Sequence, residues 1–290
     1  GTEAVEIAMK LARFKSKGKW FISTTHAFHG KTGGSLSLTA KGIYRQPYLP
    51  LLQQVQHVEY GNAAAIRTAI ENLREVGESI AAVVLEPIQG EAGVIIPPEG
   101  YLKEVRAICD ELNVLLIIDE IQTGMGRTGT LWRCDAEGIV PDIMTFGKAF
   151  GGGVMPITGL IFRPEMWSEE LVENPYLLGS TTFGGNPVCC AGAISVLERL
   201  DEAMLQGVQA RSAYIKQELT GAKGVIGVSG LGLMLGIQTE KNAADIIAAC
   251  REKGVLVIKA KDKLRLLPAL NIPMDQLAKA VAVIKECCAG

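Results

Sequence analysis

Two charged residues stand where an apolar chain has little ordinary use for them. Asp119 closes the run Val114-Leu-Leu-Ile-Ile118, and Lys148 lies in Asp142-Ile-Met-Thr-Phe-Gly-Lys-Ala-Phe-Gly-Gly-Gly153, an apolar stretch that ends in glycines. A carboxylate at the end of an apolar strand requires a cation or strong donors beside it, and a lysine drawn into such surroundings is expected to be buried, uncharged and nucleophilic. One strand-helix unit separates the two. They are therefore expected at neighbouring strand ends, either as a structural ion pair or as the two ends of one site that captures a carbonyl group on an amine. A third feature is the opening Gly1-Thr-Glu-Ala4, which runs straight into a helical pattern with Ala4, Ile7, Ala8, Leu11 and Ala12 on one face. Thr2 could cap this helix, with Glu3 and Glu6 suiting its positive end, and its first turn could equally receive a phosphate.

Other signals carry less. Gly124-Met-Gly-Arg-Thr-Gly129 spells a dinucleotide-binding turn after a strand, but the following Thr-Leu-Trp-Arg-Cys-Asp135 lacks a helix whose start could hold a pyrophosphate. The 7 cysteines include two adjacent pairs and no C-x-x-C, and the 3 histidines, His26, His29 and His57, are scattered. Neither a zinc site, a disulfide framework nor a catalytic metal is indicated, and the cysteines read as reduced packing residues. A net charge of -2 with 21% charged residues offers no electrostatic case for nucleic acid or an anionic membrane. No apolar run approaches the roughly 18 residues of a spanning helix and no signal-peptide pattern opens the chain, so the expected location is the cytoplasm.

The elements that must position these residues follow from periodicity. Short β-rich runs at 20–24, 80–85, 114–118, 143–146 and 157–162 alternate with helical stretches. That rhythm predicts an α/β fold with a mainly parallel sheet, covered by helices on both faces, whose ligands bind at the carboxyl ends of the strands. After Asn186-Pro187 a helical period runs through Ile194, Leu197, Met204 and Ile215. Strands are then expected over 225–238, 255–258 and 264–267, and a last helix through Leu277, Val281 and Ile284. With 290 residues, 48% of them hydrophobic, the chain is expected to form a large domain over 1–200 and a smaller α+β domain over 201–290.

An amine for an aldehyde, an acid that keeps a pyridine nitrogen protonated and an anion site for a phosphate are what pyridoxal 5′-phosphate asks of a protein. Lys148, Asp119 and the Gly1-Thr2 helix start are candidates for the three. Around them stand Ala27-Phe-His-Gly30, Glu86-Pro-Ile-Gln-Gly-Glu-Ala-Gly93, Asp119-Glu-Ile-Gln122, Phe146-Gly-Lys148, Thr181-Thr-Phe-Gly-Gly-Asn-Pro187 and Arg265-Leu-Leu-Pro268. In this order, over nearly the whole chain, the motifs resemble the class III, or ω-amino acid, aminotransferases, which are fold-type I pyridoxal phosphate enzymes. The resemblance implies that Lys148 carries the cofactor and shuttles a proton, that Asp119 holds the ring nitrogen, that Phe28 stacks on the ring and that Gln122 bonds its phenolic oxygen. It further implies phosphate contacts from Gly1, Thr2 and, from a second subunit, Thr182, and hence a homodimer with a shared active site. Arg265 would grip a substrate carboxylate, with Glu91 pairing to it when the substrate has none. His29 receives no role, since a packed, hydrogen-bonded histidine explains it as well.

Substrate choice turns on Phe28-His-Gly-Lys31. Many members acting on acetylornithine, ornithine or 4-aminobutyrate carry arginine at the last position, and lysine cannot give the same bidentate grip on a carboxylate. With Glu86-Pro-Ile-Gln-Gly-Glu91 and Gly151-Gly-Gly-Val-Met-Pro156, this variant resembles the putrescine-using members. That implies a diamine donor and 2-oxoglutarate as acceptor, giving 4-aminobutanal, which closes to 1-pyrroline, and glutamate. Lys31 is then a candidate substrate-side residue. Acetylornithine, ornithine or 4-aminobutyrate transamination is the alternative. Family chains carry a sizeable segment before Gly-Thr-Glu-Ala, so this chain reads as shortened at its start, and a second alternative is an inactive protein that binds the cofactor or dimerises without turnover.

Overall fold

Contacts within the computed structural model, which describes residues 1–179 and 181–290, divide the chain into two units. The first comprises Gly1–Pro87, Pro97–Gly124 and Arg133–Glu198, and the second Ile88–Ile96, Met125–Trp132 and Arg199–Gly290. The last break falls close to the expected boundary at 200. The two earlier segments join the second unit because their partners lie there, Arg127 donating to Leu233 O and Pro268 O and Glu91 pairing with Arg265, a relation that linear order does not express.

In the first unit, β1 (Trp20–Thr24), β2 (Val55–Val58), β3 (Ile80–Leu85), β4 (Leu115–Asp119), β5 (Ile143–Phe146) and β6 (Gly159–Phe162) form a sheet in the order β2-β1-β3-β4-β5-β6. All pairings are parallel except β5 with β6. Every residue of β3 and all but the first of β4 are buried, as a sheet covered on both faces demands of its central strands. The short edge strand β2, only partly buried, carries no such run and escapes the sequence reading. Helices α1 (Thr2–Ser16), α2 (Gly33–Leu38), α3 (Gly42–Arg45), α4 (Ala63–Glu75), α5 (Tyr101–Glu111), α6 (Arg133–Glu137), α7 (Glu169–Glu173) and α8 (Pro187–Leu197) complete the unit. The apolar face of α1 packs Val5, Ala8, Met9, Leu11 and Ala12 with Phe21, Ala82, Val84, Ile117 and Ile143. Strand order reverses at β1, with β2 on one side and β3 on the other, and open α/β sheets bind ligands outside the carboxyl ends at such a point.

The second unit holds α9 (Glu202–Leu219), β7 (Val225–Leu231), β8 (Met234–Thr239), α10 (Ala243–Glu252), β9 (Ile258–Ala260), β10 (Lys263–Leu266) and α11 (Met274–Ala289). Its antiparallel sheet has the order β7-β8-β10-β9, and its core includes Val208, Ile215, Leu235, Ile237, Ile246, Leu264, Leu277 and Val281. Three expectations are corrected here. The strand over 225–238 is a hairpin, because Gly232, at φ 52°, turns the chain back. The helix through 194–215 is two, each start being fixed by a side-chain cap: Asn186 Oδ1 accepts from Val188 and Cys189 N–H, and Asp201 accepts from Met204 N–H. The strand over 255–258 begins only at Ile258.

Candidate active site

Asp119 ends β4 only 5% exposed, and its two oxygens have separate partners. Oδ2 lies 2.8 Å from His29 Nδ1, while Oδ1 accepts the Ile121 N–H at 3.1 Å and the Thr145 hydroxyl at 3.3 Å. Thr145 stands opposite Asp119 in the β4–β5 register. Burial by itself would lower the pKa of His29, but the hydrogen bond and charge of Asp119, with the charge of Glu86, outweigh it and raise the pKa above the ordinary histidine value. The acid thus takes its partner from His29, and the ion pair with Lys148 that the sequence left open is not formed. His29, which sequence reasoning left without a role, is the side chain that the structure brings to the acid. The available signal was the demand of a buried acid for a cation, and His29 Nε2 has no partner of its own.

Phe28, half-buried beside it, donates its N–H to Glu86 Oε2 at 3.0 Å and meets Tyr44 edge to face, with centroids 6.0 Å apart. Glu86 directly follows β3, so this bond ties the segment after β1 to the end of its neighbour at the reversal of strand order.

The start of α1 lies at the same end of the sheet: a Cβ on Gly1 would sit 2.8 Å from Ile121 Cδ1. Thr2 does not cap. Gly1 occupies the cap position without a side-chain bond, and Thr2, one residue inside the helix, turns its hydroxyl to Thr32 Oγ1 at 2.7 Å and Ser35 Oγ at 2.5 Å. The first-turn N–H groups of α1 therefore have no side-chain cap and are available to an anion. Gly30 lets the chain cross here, with φ 139° and with a Cβ that would fall 2.3 Å from Thr2 Oγ1.

Lys148 opens a short 3₁₀ turn, Lys148–Gly151, beyond the end of β5. Its side chain is exposed, contrary to the burial its apolar neighbours predict. The chain has already left the sheet at Gly147, and φ 45° at Lys148 swings the residue off the strand line; such conformations concentrate at functional sites. Gln122 is half-buried in the loop after β4. Thr182 is exposed, and with Glu3, Ala4, Gly159, Phe183 and other residues it lines a cavity of about 640 Å³. Phe183, which lines it, is 80% exposed, and on α8 Val188 is 62% and Ile194 55% exposed. Lys31 is exposed with Nζ 4.1 Å from the centroid of the Tyr44 ring.

Within the second unit Arg265 on β10 is 8% exposed, and its Nη2 lies 2.8 Å from Glu91 Oε1. Among the described residues no group of His, Cys, Asp and Glu side chains could hold a metal ion, and no helix is long and apolar enough to cross a membrane.

Known proteins resemble this chain in sequence and fold. The family model described as Aminotransferase class-III matches residues 1–288. A putrescine aminotransferase of Pectobacterium atrosepticum is 42% identical over 306 aligned residues, which take in 99% of this chain and 64% of that protein. The chain therefore spans less than two thirds of that relative. The ornithine aminotransferase of Toxoplasma gondii, solved with partial occupancy of PLP at its active site, has a TM-score of 0.88 at 28% identity, covering 100% of this chain and 71% of its own. An (S)-enantioselective omega-transaminase of Thermomicrobium roseum has a TM-score of 0.89 at 29% identity, covering 99% and 72%.

Proposed function

The chain belongs to the class III aminotransferase family, and we propose that it moves the terminal amino group of a diamine, putrescine, to 2-oxoglutarate with pyridoxal 5′-phosphate as cofactor. The observation that carries the cofactor is Asp119, pinned by His29, Ile121 and Thr145 at the end of β4, in one sheet with the strand that leads to Lys148 and beside an α1 start without a side-chain cap. These residues fit the group: an amine, a carboxylate held in place by a histidine, and backbone donors without a side-chain cap are what its aldehyde, ring nitrogen and phosphate require.

When bound, the cofactor supplies an electron sink for the carbon that bears the amine. Asp119 would hold a proton at the ring nitrogen, and His29 orients that carboxylate through the bond to Oδ2. Phe28 would cover the ring and Gln122 would bond its phenolic oxygen. Lys148 Nζ would be the covalent anchor and the base that carries the proton from the amine-bearing carbon. The phosphate would be held by the N–H groups of Gly1 and Thr2 and by Thr182 of a second copy. A homodimer is supported by α8, apolar on all sides yet with only Ala193 buried, since a helix of that kind requires cover.

Arg265 is the grip for a substrate carboxylate. With a diamine bound Glu91 stays on it, and with 2-oxoglutarate Glu91 leaves. The lysine at position 31 and the 42% identity to a putrescine aminotransferase favour the diamine. Transfer from ornithine, acetylornithine or 4-aminobutyrate is the second reading, favoured by the likeness to the ornithine aminotransferase of T. gondii.

The test is the visible absorption of the chain with pyridoxal phosphate, titrated separately with putrescine, N-acetylornithine and 4-aminobutyrate. The expected result is loss of the protein-bound band with putrescine and its return with 2-oxoglutarate. A response only to an amino acid moves the assignment to the second reading. A band that no amine changes leaves a cofactor-binding protein without turnover, and no band at all overturns the site.

A further inference from the structure

Glu91 and Arg265 belong to a larger arrangement within the second unit. In the register of its sheet Ser229 stands opposite Gly236, and Gly236 opposite Arg265, so the three form one row across β7, β8 and β10. Residues directly opposite one another point to the same face. The segment 88–96 lies on that row. It folds back on itself through Gln89 and Ile95, which exchange N–H to C=O hydrogen bonds of 3.0 and 2.9 Å.

Both arms of this turn are tied down. Glu91 is held on Arg265 at 2.8 Å, and the Ser229 hydroxyl donates to Val94 O at 3.3 Å, sharing its proton with Gly236 O at 3.3 Å. Between these ties Gly236 leaves a hollow: a Cβ there would lie 3.0 Å from Gly93 O and 3.2 Å from Val94 Cβ. Lys263, two residues before Arg265 and so on the same face, closes the row, with Nζ 3.5 Å from Ser229 Oγ. Val94 sits at φ 55°, a conformation that a β-branched residue adopts only when its surroundings impose it. Strain at Val94 thus favours release of the turn, and the contacts from Ser229 oppose it.

We propose that Ser229 and Gly236 form a seat that sets how firmly Glu91 stays on Arg265, and therefore how readily a carboxylate displaces it. The proposal rests on the reading of Arg265 as the carboxylate grip. One guanidinium fork cannot hold Glu91 and a substrate carboxylate in the same place, so every carboxylate that binds must first displace the Glu91 side chain, whose reach is set by the turn that carries it. Ser229 and Gly236 are positioning residues: they touch no substrate, and they act through Glu91 on the choice between a dicarboxylate and a diamine.

The probe is glutarate, a dicarboxylate with no oxo group to accept an amine, titrated calorimetrically into the whole chain in the presence of pyridoxal phosphate. Glu91→Gln should tighten glutarate binding by weakening its competitor. Ser229→Ala should tighten it by about fivefold, the effect of one lost hydrogen bond, and should add nothing on top of Glu91→Gln. Gly236→Ala, which wedges the turn outward instead of untying it, should act in the same direction. Amide exchange over residues 91–95 should quicken in both variants. If Glu91→Gln tightens binding while Ser229→Ala and Gly236→Ala leave it unchanged, the seat is overturned. A glutarate affinity that answers to neither Glu91→Gln nor Arg265→Ala overturns the grip itself, a pattern distinct from the first.

Discussion

Asp119 and Lys148 follow from neighbouring strands of one sheet, yet their surroundings are opposite. The acid is buried with partners on both oxygens, all from the chain itself. The lysine is exposed, and α8, which packs on the turn Lys148–Gly151, shows Val188 and Ile194 to solvent along with the nearby Phe183. One half of the candidate site has its partners within the chain, whereas the other is exposed. An ionised carboxylate cannot be left buried without partners, but an amine and an apolar surface can wait for theirs.

The most severe way to break the open half is Lys148→Ala. Covalent attachment of pyridoxal phosphate should vanish, so that borohydride reduction fixes no cofactor, and transamination should fall by about 10³-fold or more. Retained labelling at a single site would assign the anchor to another lysine. On the closed half, Asp119→Asn should lower kcat by about 10²–10³-fold, with the fold intact by circular dichroism, because the fixed charge on the ring nitrogen is lost. The contrast in cover can be sharpened with Phe183→Asp, which should weaken self-association by about 30-fold in sedimentation without altering the protomer. An unchanged dimer would remove Phe183 from the interface.

Two smaller effects probe the closed half. The folded-state pKa of His29 is raised above its unfolded value near 6.5, so its contribution to stability is complete below about pH 6.5 and is lost as pH rises through the folded value. Between neutral and alkaline pH the Tm should fall more steeply than in His29→Asn, by about 2–4 °C per kcal/mol lost. Parallel profiles would mean that His29 is uncharged in the fold. Thr2→Val, which removes the bonds to Thr32 and Ser35, should cost about 1 kcal/mol in chemical denaturation.

How much of this was legible depended on how local the cause was. The strands at 20–24, 80–85 and 143–146 stand where periodicity put them, because strands buried on both faces are mostly apolar and β-branched, 80–85 without a polar residue. Asp119 was visible as a charge that such a strand would not carry without a use. The pairing of Glu91 with Arg265 was legible only through motif order, for 174 positions of chain separate the two and no period connects them. Thr2 was misread because a cap and a first helical residue differ by one position, which boundary signals do not resolve.

The sequence by itself determined the strands of the first sheet other than β2, the acid at the end of one strand and the lysine beyond the end of the next, and the order of the motifs. These follow from which side chains water rejects and from how far apart along the chain they stand. Only the tertiary structure decided that His29 is the partner of Asp119, that Lys148 faces solvent, and that segment 88–96 is seated on β7, β8 and β10. Each of those outcomes rests on distances between residues remote in the chain, and such distances exist only once the sheets have formed.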